Sequence, residues 1–61
     1  MTPFMQIVWE VLASAKDAGS EETINHCRRL IRANRLGKMK SPEFAADKAH
    51  VHFVYDEVVS A

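Results

Sequence analysis

Two prolines and two glycines are the chain's strongest backbone punctuation, and they stand at the edges of three segments of helical length. Thr2-Pro3 and Ser41-Pro42 each place a capping hydroxyl before a proline in the first helical position, where its missing N–H costs nothing. Gly19 and Gly37 sit where helices close, because glycine takes the left-handed closing conformation without steric penalty. Ser20-Glu21-Glu22 then restarts a helix with acids at its positive end. These signals predict helices near 3–18, 21–36 and 42–59, joined by connections short enough to make neighbours pack roughly antiparallel. The expected fold is all-α, a small three-helix bundle forming one domain over residues 1–61. Residues 50–55, HVHFVY, also alternate as a strand would. Helix is the preferred reading, since SPEFAADKA initiates one and no second good strand exists to pair with.

A chain of 61 residues buries only about 60% of the surface its unfolded form exposes, so its core needs a supplement. The single cysteine, Cys27, excludes a disulfide within one chain, and oligomerisation is expected ahead of a structural metal. The first helix supports that expectation. Phe4, Ile7, Val8, Val11 and Ala15 form one apolar stripe, and Met5, Trp9 and Leu12 widen it beyond what two neighbouring helices easily cover. A homodimer is therefore expected, with Phe4, Val8, Trp9, Val11 and Leu12 at its interface. An apolar fraction of 48% argues against a disordered tail. The run FMQIVWEVLASA ends in small residues, as an export signal would, but no Lys or Arg precedes it and Gln6 and Glu10 interrupt it. It is also too short to span a bilayer, so a soluble cytoplasmic protein with no membrane contact is expected, with Cys27 a buried apolar residue.

A formal net charge of zero hides three blocks. Residues 1–27 carry one base against four acids, a net of −3; residues 28–40 carry six bases and no acid; residues 41–61 again carry one base against four acids. With about 100° of rotation per residue, Ile24, Cys27, Leu30 and Ile31 group on one arc of the second helix. Arg28, Arg29, Arg32 and Arg35 group on an adjoining arc of about 120°, and Lys38 and Lys40 extend it into the following loop.

Catalytic and metal signatures are weak. His26, Cys27, His50 and His52 are zinc-type ligands, but His26 and Cys27 diverge by about 100° on a helix, and His50 and His52 by about 200°. No C-x-x-C or H-x-x-x-H spacing occurs, so no metal and no cofactor is expected. Cys27 and His26 suit a thiolate and its base, yet consecutive helical residues do not face each other, and the expectation is a non-enzymatic chain with no small-molecule substrate. The basic face is then the candidate contact. The favoured reading is a small regulatory or inhibitory protein that meets an acidic surface of a protein partner through Arg28, Arg29, Arg32, Arg35, Lys38 and Lys40. The alternative is a nucleic-acid-binding regulator that sets the same residues on DNA or RNA phosphates. Against that alternative stand Glu21 and Glu22 at the start of the helix and a pI near 6.8. A third reading pairs the arginines with acids of the other two helices, or with those of a partner subunit, so that they stabilise the fold and contact nothing else.

Overall fold

The computed structural model describes residues 2–60 and contains helices α1 (Pro3–Ala18), α2 (Glu21–Arg35) and α3 (Ala45–Ser60), with no strand among the described residues. Thr2 caps α1 as its position predicts, its Oγ1 accepting from the Met5 N–H at 3.2 Å. Both glycines close helices in the left-handed region, with φ of 70° at Gly19 and 69° at Gly37. At each end the next residue's N–H reaches five residues back, Ser20 to the Ala15 carbonyl at 2.9 Å and Lys38 to the Ala33 carbonyl at 2.8 Å.

Three details differ from the expected helices. The third begins as a turn of 3-10 helix, Pro42–Phe44, before continuing as α3. Neither Ser20 nor Ser41 makes a side-chain cap; Ser20 Oγ instead donates to Thr23 Oγ1 at 3.1 Å. Val58, which helical spacing sets on the same side of α3 as Val51, Val54 and Tyr55, is exposed together with everything from Asp56 to Ser60. HVHFVY is helical, and Phe53 stands on its outer side with 64% of its surface exposed.

Every pair of helices is in contact, and the core sits where the three meet. Its members are Met5, Val8, Val11, Leu12 and Ala15 of α1, Ile24, Cys27, Leu30 and Ala33 of α2, then Phe44 and Val51. The apolar stripe of α1 is thus covered within one chain. Val8, Val11 and Leu12 are buried, Phe4 is half-buried with its ring 5.1 Å from that of His52, and Trp9 remains exposed. Among the described residues no helix is long and apolar enough to cross a membrane.

Candidate functional site

Glu22, His26 and Arg29 recur at i, i+4 and i+7 along α2, while Asp47 and His50 stand three apart on α3. The two helices turn these stripes toward each other. Asp47 lies at the centre, its side chain 4% exposed. One carboxylate oxygen accepts from His26 Nδ1 at 2.6 Å, and both accept from Arg29 Nε at 3.1 Å. Burial pushes this carboxyl up, but the hydrogen bonds from His26 and Arg29, with the charge of the Arg29 guanidinium, outweigh it and hold the group below its ordinary 3.8. A carboxylate only accepts, so His26 carries its Nδ1 proton toward Asp47 and turns Nε2 away from it.

The seam continues on both sides of this ion pair. His50 stacks on His26 with ring centroids 4.2 Å apart and planes inclined by 26°. Its Nε2 lies 2.9 Å from Thr23 Oγ1. On the other side the Arg29 guanidinium lies 5.3 Å from the centre of the Phe44 ring, over its face. Among the described residues no buried side-chain nitrogen or oxygen lacks a partner.

Beyond Phe44 the seam opens into a groove of about 220 Å³ lined by Arg29, Arg32, Leu36, Lys38, Glu43 and Phe44. Leu36 is 59% exposed there, an apolar residue set among cations. Of the six basic residues singled out from the sequence, Arg28, Arg32, Arg35, Lys38 and Lys40 are exposed and make no ion pair among the described residues. Arg29 is the exception, engaged by Asp47 and with half of its side chain still exposed. Pairing of arginines with acids of the other helices is thus realised at Arg29 alone among the described residues.

Cys27 is fully buried, and burial pushes its thiol up, which disfavours the thiolate. The cross-helix cluster around Asp47 is what sequence reasoning missed. Its signal was polar residues recurring at 22, 26 and 29 with the spacing of a packed face. Compared with protein-family models, with curated proteins and with solved structures, the chain matches none.

Proposed function

We propose that this chain is a small non-enzymatic regulatory or inhibitory protein that binds an acidic surface of a protein partner through the basic face of α2. The observation that carries this reading is the mixed lining of the groove, where the apolar Leu36 and Phe44 share one concave surface with Arg29, Arg32 and Lys38. A phosphate backbone has nothing to bury there. An acidic segment bearing an apolar side chain matches the apolar residues and the three bases of that lining, and Glu43 is the one acid it must stand clear of. Arg32 and Lys38 flank the anchoring side chain, while Arg28, Arg35 and Lys40 steer the approach of an acidic partner. Arg29, its charge already offset by Asp47, contributes less.

Acidic peptides carrying Leu or Phe, titrated beside mixed-sequence duplex DNA and RNA across a salt series, test this reading. The expected result is micromolar peptide binding that the Arg32→Glu, Arg35→Glu double variant weakens by at least about tenfold, with its helicity unchanged. Tighter binding to nucleic acid, falling steeply with salt, would replace the protein partner with phosphates. Peptide affinity unchanged by the double reversal would remove this face from recognition.

A further inference from the structure

We infer that Glu22, His26 and His50 form a binding site for a zinc-class divalent transition cation at the seam between α2 and α3. One donor atom from each of the three lies within 4.8 Å of the other two. Two imidazoles and a carboxylate are a set that zinc accepts, with a fourth position left to water. The sequence argument against a metal concerned neighbours on one helix, His26 with Cys27 and His50 with His52. The fold instead pairs histidines across two helices, and Glu22 joins them from one turn before His26.

An independent observation points the same way. Each histidine already has one ring nitrogen held by an outer partner, His26 Nδ1 by the Asp47 carboxylate and His50 Nε2 by the Thr23 hydroxyl. A carboxylate behind a histidine fixes the tautomer, orients the ring and raises the basicity of the opposite nitrogen. His26 therefore presents Nε2 as a lone-pair donor, and a Thr23 hydroxyl that accepts from His50 leaves Nδ1 free in the same way. Asp47 is a positioning residue here. It is buried, whereas Glu22 is exposed on a flexible side chain that can swing to close the site.

Geometry also limits the affinity. Tetrahedral zinc with bonds of about 2.0–2.1 Å sets its donors about 3.3 Å apart, closer than the widest separation found here. The stacked rings must fan apart to converge on one ion, which loses their contact. Affinity in the micromolar range is expected rather than the far tighter binding of a preformed structural site.

The test uses tag-free full chain stripped with chelator and titrated with zinc by calorimetry and with cobalt by visible absorbance. Expected are one ion per chain, a melting temperature that zinc raises and chelator restores, and affinity lowered at least about tenfold in Glu22→Gln and His50→Ala. His52→Ala, which alters a histidine outside the cluster, should bind as the unaltered chain does. Glu22 is exposed, so its variant will fold even where His50→Ala does not. Absence of both heat and a cobalt band up to millimolar ion, or affinity unchanged in Glu22→Gln, would overturn the site.

Discussion

Asp47 is the polar residue whose loss this fold should feel most. It is buried, it bridges two helices, and its hydrogen bonds come from groups that remain partly wet. Removing it therefore strands no cation in a dry core, and the cost stays below that of breaking a fully buried pair. Asp47→Ala should cost about 2 kcal/mol in urea unfolding of the metal-free protein, from charge-assisted hydrogen bonds discounted for solvent screening of Arg29. The pH dependence has a definite sign. A carboxyl held below its ordinary 3.8 contributes its full stability above that value and loses it as the pH falls through the lower folded value. The stability gap between the unaltered chain and Asp47→Asn should accordingly narrow as the pH falls below about 4. A gap that widens below that pH would contradict the assignment. The arginine arc was legible in the sequence because helical periodicity alone groups those residues. Asp47 was not: with His50 at i+3 it reads as a solvent-facing pair, and only the register of α3 against α2 reveals its partners.

Backbone punctuation located the three helices well because it acts locally. Gly19 and Gly37 supply a positive φ that other residues adopt only under strain, while a methyl group added at either would meet open space. Gly19→Ala should therefore cost about 1 kcal/mol from backbone strain alone, without disturbing the core, and Gly19→Asn should cost less. Thermal melting of the two variants checks this, and an alanine variant as stable as its parent would show that the αL closure is dispensable. Side-chain caps were less legible. Thr2 closes its helix as expected, whereas Ser20 turns to Thr23, a choice that depends on His50 arriving from another helix. The apolar breadth of α1 was read as surplus surface. In the folded chain α2 and α3 both lie on it, and Val8, Val11 and Leu12 have no surface left to offer a second copy.

For a chain of 6.9 kDa, an accessible surface of 4300 Å² slightly exceeds the roughly 4,000 Å² typical of its mass, in keeping with the exposure of the last five described residues of α3. Among the described residues, the large apolar side chains left outside are Trp9, Leu36, Phe53, Val58 and Val59. Self-association, if it supplements this small core, must use some of these. We expect Trp9 to serve on the α1 side, so that sedimentation finds a dimer and Trp9→Glu a folded monomer. A Trp9→Glu dimer would move the interface to the exposed Val58 and Val59 of α3. The packing of α2 against both of its neighbours has a consequence for recognition itself. Its outward arginines stand on backbone that is already ordered, so the proposed partner would meet a prepared surface and no helix would have to form on contact. The entropy lost on association is then confined to side chains, about 0.5–1.5 kcal/mol for each long one immobilised, which favours a fast, shallow and readily reversible encounter over a slow one coupled to folding.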